Sequence, residues 1–182
     1  AVDNFGFKDL IDMRKLRIVG QLPTSETTPS LLTAKMESLR SGNREIQQGE
    51  ISLAGIRKAH LLKVSAQNEK SKFYVQLAGG FNAQNDWLGQ IQKGDFDSLR
   101  ARLVQRQSAA VVYNSAKADL LIGAHCWMSQ QSQLCFDQPI RVSKTRGNIS
   151  FLTQNLDLND FAAFMPEGLA ITGKLNGHAK AV

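Results

Sequence analysis

The stretch CWMSQQSQLC, Cys126 to Cys135, holds both cysteines of a 182-residue chain. Thiols at this spacing could bind metal, cycle between redox states or join two strands. Two sulfurs do not complete the four ligands of a structural zinc site, and neither Cys-x2-Cys nor His-x3-His occurs, although His125 adjoins Cys126 as a third donor. A two-residue turn at Gln130 and Gln131 sets Ser129 against Ser132. Stepping outward, it sets Met128 against Gln133, Trp127 against Leu134 and Cys126 against Cys135. Alternate counting makes the cysteines a non-hydrogen-bonded pair, where facing Cα atoms lie about 4.5 Å apart and a disulfide closes without moving the backbone. Gln-Gln is not a favoured tight-turn pair, so a longer loop of the same symmetry is the alternative, with the same cross-strand pairing. Two reduced, buried thiols are the competing state. The register favours a disulfide, typically worth about 2–4 kcal/mol, and with it an oxidising compartment such as the periplasm.

Other chemistry finds no carrier. There is no GxSxG elbow, no phosphate-binding Gly-rich loop with Lys, no HExxH and no dinucleotide fingerprint after a strand. His60, His125 and His178 are scattered, and no paired carboxylates stand out. With no residue nominated as a base, the expectation is a chain that is not an enzyme and carries no cofactor or metal. The net charge of +6 is spread along the chain at Arg14, Lys15, Arg17, Lys63, Lys72, Arg100, Arg102, Lys144 and Arg146. That distribution fits a solvated strand face better than a nucleic-acid footprint, and no basic-aromatic motif offers bases a stacking platform. No run approaches the 18 apolar residues of a membrane span. The opening AVDNFGFKDL has neither an initiator Met nor a signal segment, so the chain reads as part of something longer.

The elements that would position any site are strands. Leu16, Ile18 and Leu22 alternate with Arg17, Val19 and Gln21; Phe73, Val75 and Leu77 alternate with Tyr74, Gln76 and Ala78; Leu169, Ile171 and Leu175 alternate with Ala170, Thr172 and Lys174. Noisier alternation runs through 51–53, 62–66, 87–91, 109–113, 118–122 and 149–151, giving about a dozen strands. Short polar clusters between them (SGNRE, QNEKSK, NAQND, KTRGN) favour an antiparallel meander. An apolar-x-Gly-x-apolar echo in IVGQL, LAGI, LAGGF and ITGKL either bends a long sheet or merely ends its strands. PTSETTPS, residues 23–30, reads as a loop inside a single segment spanning 1–182. In LDLNDFAAFMPEG a short helix is expected near 158–165: Leu158, Phe161, Ala162 and Met165 share a face, Asp157 or Asn159 caps it, and Pro166 and Gly168 stop it. Alternation alone favours a closed, dry core between two sheets.

A resemblance changes that balance. The blocks IGAHCWMSQQSQLCFDQPI and LDLNDFAAFMPEGLAITGKLNG closely resemble the middle of the TamB family, the inner-membrane-anchored component of the translocation and assembly module of Gram-negative bacteria. DWLGQIQKGDF looks like the same family's recurring Trp-x-Gly strand pair. The resemblance is strong over about residues 86–182 and a matter of pattern before that. It implies an AsmA-like, bridge-type lipid carrier: all-β, an elongated, curled antiparallel sheet forming a taco-like groove with an apolar concave interior. The lining implied is Leu16, Ile18, Phe73, Val75, Leu77, Leu120, Ile122, Phe151, Leu169 and Ile171. Implied partners are phospholipid acyl chains, the outer-membrane barrel TamA and nascent outer-membrane proteins such as autotransporters, in the periplasm. The family's N-terminal membrane helix and barrel-docking C-terminal end are absent from this segment, so neither anchoring nor docking is expected of it. Rival expectations are a scaffold that pairs strands with outer-membrane proteins, and the closed structural sandwich.

Overall fold

The computed structural model describes residues 2–7, 11–23, 25–41, 44–98, 102–159 and 172–181. Their strands are β1 (Val2–Phe7), β2 (Ile11–Gln21), β3 (Ser30–Ser41), β4 (Arg44–Ile46), β5 (Gln48–Ile56), β6 (Ala59–Gln67), β7 (Ser71–Phe81), β8 (Trp87–Ser98), β9 (Arg102–Gln105), β10 (Ala109–Asn114), β11 (Asp119–Ile122), β12 (His125–Met128), β13 (Gln133–Phe136), β14 (Ile140–Val142), β15 (Gly147–Asp157) and β16 (Lys174–Ala181). All sixteen belong to one sheet, and the pairs in register are antiparallel. Among the described residues no second sheet covers it, so the two-sheet core favoured by alternation alone is not the architecture. The described residues of PTSETTPS lie between β2 and the start of β3, two strands that pair along nearly their whole length.

The chain runs as a meander, because each short polar cluster turns it back beside the strand it has left. Alternation then sorts side chains by face. One face carries three rows that cross the strands. The first is Leu16, Met36, Gly49, Ala66, Phe73, Phe96 and Leu103. The second is Ile18, Ala34, Ile51, Val64, Val75 and Gly94. The third is Leu32, Leu53, Leu62, Leu77, Ile91 and Ala109. The opposite face is polar where these rows are apolar: Arg17, Lys35, Glu50, Ser65, Tyr74 and Asp95 stand in line, with Lys35 and Glu50 ion-paired at 3.2 Å. Much of the basic charge is thus a solvated face.

A crease crosses the second half of the sheet. In β8 the partner register to β7 shifts between Gln76 and Leu77, so Gln92 and Lys93 are both exposed on the polar side while Ile91 and Gly94 both turn inward. This is a bulge, one extra residue that bends its strand. On the same level the next three strands break into β9 and β10, β11 and β12, and β13 and β14, with the register offset on either side of each gap. The buried Gln105 Nε2 donates to Ile91 O at 3.3 Å beside the bulge, and Gly123 N, in the gap between β11 and β12, donates to Ala110 O of β10 at 2.7 Å. The echoing glycines have the other role foreseen for them. Gly20 and Gly55 are next to last in their strands, Gly79 is third from last in β7, and Gly173 directly precedes β16. Gly55 has a φ of 127°, and a Cβ there would sit 2.4 Å from Ala59 O, so only glycine fits that turn.

The helix expected near 158–165 falls mostly outside the described residues, as do Leu169 and Ile171. Just before it, Asp157 Oδ1 accepts the Asn159 N–H at 2.9 Å, and Leu158 N donates to Gly173 O at 2.9 Å.

Candidate functional site

The three rows form an apolar lane that is covered unevenly. Toward β2 and β5 it is open: Ile18 is 57% exposed, Ile51 47% and Leu22, just past β2, 63%. Toward β8 it deepens into two clusters. In the first, Val75, Leu77, Trp87, Leu120 and Ile122 pack on buried Ile91, Ala109 and Val111. In the second, Phe73, Trp127, Leu134 and Leu175 pack on buried Phe96, Leu103 and Leu156. No large side chain is wholly buried among the described residues.

Both tryptophans lie on glycine. A Cβ on Gly89 or Gly79 would come within 2.5 or 2.6 Å of the Trp87 ring, and one on Gly94 within 2.3 Å of the Trp127 ring. Gly94 ends the second row, so Trp127 fills the place where a side chain of that row would stand, its ring stacked 6.5 Å from Phe73. Trp87 Nε1 donates to His60 Nε2 at 2.8 Å, while His60 Nδ1 faces Ile56 O at 3.2 Å. That bond fixes the indole edge and occupies the imidazole.

At the end of the sheet where Trp87 lies, a cleft of about 650 Å³ opens onto the lane. Its floor includes Leu53, Leu62, Leu77, Phe81, Val111 and Leu120, and Leu22, Pro23, Ser25 and Glu26 close one side. Residues from the loop after β2 and from β11, far apart in the strand order, share this one cleft. Arg57 and Glu26 both line the cleft, and Arg57 and the adjacent Lys58 stand 3.8 and 3.4 Å from the Glu26 carboxylate.

The residues singled out from the sequence are distributed as follows. Phe73, Val75, Leu77, Leu120 and Ile122 share the apolar face and join the two clusters. Leu16 and Ile18 head the first two rows at the open end. Phe151 is half-buried and, two residues before buried Thr153, turns to the side of Leu134, which pairs with Thr153. Cys126 pairs with Cys135 in register, with Ser129 N bonded to Ser132 O at 2.8 Å, and the two sulfurs form a disulfide with Cα atoms 4.0 Å apart. It lies on the face opposite Trp127 and Leu134, away from the lane.

Sequence reading missed the mouth residues and one polar cluster. Asp137, Ser150 and His178 come together although they are far apart in the chain. Ser150 Oγ donates to Asp137 Oδ1 at 2.8 Å and lies 2.8 Å from His178 Nε2, which is 3.3 Å from Asp137 Oδ2. This hydroxyl bond holds the Asp137 carboxyl below the usual carboxylate range. The trio is not a hydrolytic relay: the hydroxyl proton already goes to the carboxylate, and one imidazole nitrogen meets both partners, whereas a relay uses the two nitrogens separately. It fastens β16 to β15 and to the strand break after β13. The pairing register could have located it, but no local pattern does.

Strands, lane and cleft define an all-β protein built as one antiparallel sheet whose apolar face is incompletely covered. The family model described as "TamB, N-terminal domain" matches residues 1–182, and the chain belongs to that family. The match covers the whole chain, including residues 1–85, where the sequence offered pattern alone, and it is to the domain described as N-terminal. No solved structure matches the chain. Membership makes the chain part of a component of the translocation and assembly module of the cell envelope.

Proposed function

We propose that this chain is a periplasmic segment of a lipid conduit, sheltering phospholipid acyl chains on its apolar lane between the inner and outer membranes. Moving a sixteen-carbon chain through water unshielded costs on the order of 12 kcal/mol at about 0.8 kcal/mol per CH2. The observation that carries the reading is the three apolar rows on a single sheet with Ile18, Ile51 and Leu22 left exposed. A chain with no use for that surface would bury it. Six strands, β2, β3 and β5 to β8, at about 4.8 Å spacing make the lane about 24 Å long, more than the roughly 15 Å depth of one leaflet's hydrocarbon. The proposed lining is Leu16, Ile18, Phe73, Val75, Leu77, Leu120, Ile122 and Phe151, and Leu169 and Ile171 remain candidates by resemblance. TamA and nascent outer-membrane proteins are partners proposed for the full-length protein.

Ile51 is the place to test this, because it is on the middle row and half exposed, so a charge there does little to the fold. Ile51→Asp should lose the lipid that co-purifies with the chain, read by native mass spectrometry, while Ile51→Ala keeps it. Equal lipid on Ile51→Asp, or crosslinks showing that nascent barrel strands and not lipids occupy the protein, would overturn the conduit.

A further inference from the structure

The mouth of the cleft has a chemistry that the lane does not explain. Arg57 and Lys58 form the turn between β5 and β6, and that turn is held firmly: Phe81 N donates to Arg57 O at 3.0 Å, and the Lys58 peptide lies so close to Gly80 that a Cβ there would be 2.0 Å from Lys58 O. The Arg57 guanidinium is 5.2 Å over the Phe81 ring and donates to Asn85 Oδ1. Arg57 thus lines the apolar cleft, and Lys58, next to it on the same turn, reaches the cleft-lining Glu26. Their carboxylate partner is Glu26, on the turn between β2 and β3, at the long separations of 3.4 and 3.8 Å, and all three side chains are well exposed. Exposed pairs of this kind contribute little and yield readily to a better anion. An amphiphile whose tail lies along the floor would leave its head beside Arg57 and Lys58.

We propose that Arg57 and Lys58 are a headgroup site for phospholipids of net negative charge, and that Glu26 occupies this site while the cleft is empty. The inference rests on the conduit reading and adds the class of lipid. Two point charges on a fixed turn favour a phosphate not neutralised by a choline or an amine of its own. Glu26 then acts as a competitor that keeps the mouth closed to weakly charged ligands.

The test is retention of lipid from vesicles of equal phosphatidylglycerol and phosphatidylcholine with matched acyl chains, read as a ratio by native mass spectrometry. Wild type is expected to favour phosphatidylglycerol by about threefold or more, as a modest exposed charge contact allows. Arg57→Gln/Lys58→Gln should fall to parity, and Glu26→Gln should raise the ratio. Lys58→Gln alone, with Lys58 exposed and the Arg57 contact to Phe81 kept, should lower it with an unchanged melting curve. Lys63→Gln/Lys93→Gln removes the same charge from the opposite face and should leave the ratio unaltered. Parity in wild type, no response in the mouth variants, or an equal fall in the opposite-face variant overturns the headgroup site while lipid retention itself still stands. Retention of neither lipid overturns the conduit reading, and this inference with it.

Discussion

At the scale of single residues, the side chains that matter most are defined by what stands opposite them. Gly94 is the clearest case: its neighbours at short range are all side-chain atoms, from Trp127 and Gln105, so an added methyl meets groups that must move. Overpacking of this kind costs about 1–3 kcal/mol. Gly94→Ala should therefore lower stability in urea by about that amount. The same change should cost much less in a Trp127→Leu background, where the ring is gone; equal costs would show that Gly94 has some other role. Legibility at this scale follows locality. The hairpin register from Cys126 to Cys135 could be counted because the turn is short and parity does the rest. Val75, Leu77, Leu120 and Ile122 could be picked from alternation, but that Trp87 meets His60, or that Ser150 meets both Asp137 and His178, depends on which strands become neighbours.

At the scale of elements, alternation reveals a strand only when one face is polar. β3 escaped notice because Leu31 and Leu32 point to opposite faces, pairing with Ala54 and Leu53. The crease was hidden because a bulge shows in sequence as a broken alternation, which also describes a strand's end. Two predictions concern how strands are held. The hairpin of β12 and β13 is closed by a disulfide across nine residues, so Cys126→Ser/Cys135→Ser should lose about 2–3 kcal/mol in urea unfolding, and reductant should have the same effect on wild type. No loss in either would mean that the unfolded chain is not what the bond restrains. The pairing of β8 with β9 is fastened by Arg102 Nε, which donates to Asp95 Oδ1 at 3.0 Å. That hydrogen bond, and then the charge of Arg102, hold the Asp95 carboxyl below its ordinary value of 3.8. A carboxylate lowered on folding stabilises the fold at pH above its unfolded value and loses that contribution as pH falls through the lowered one. Asp95→Asn should accordingly flatten the acid limb of a pH–stability curve below about pH 4, and an unchanged limb would place the acid sensitivity elsewhere.

At the scale of the whole molecule, the contrast between the two tryptophans makes the conduit reading specific about where a tail runs. Both lie against the apolar face of β8, yet Trp87 lines the open cleft, whereas Trp127 sits over Gly94 within the cluster of Phe96, Leu103 and Leu156. On the conduit reading a tail follows the apolar rows from β2 to the cleft, and the protein's own ring stands where the second row ends. A chain of 182 residues holding only these two tryptophans can be converted into two single-tryptophan reporters. With Trp127→Phe, fluorescence comes from Trp87 alone, and phospholipid brominated along its acyl chain should quench it strongly. With Trp87→Phe, the remaining Trp127 should be quenched far less, because a packed interior excludes the tail unless the cluster opens. Adding Ile51→Asp to the Trp87 reporter should abolish its quenching, since a bound tail would have to cover an unpaired charge on the middle row that is otherwise solvated. Equal quenching of both tryptophans would mean that the tail displaces Trp127 and runs on past the crease, and absence of quenching at Trp87 would mean that no tail enters the cleft.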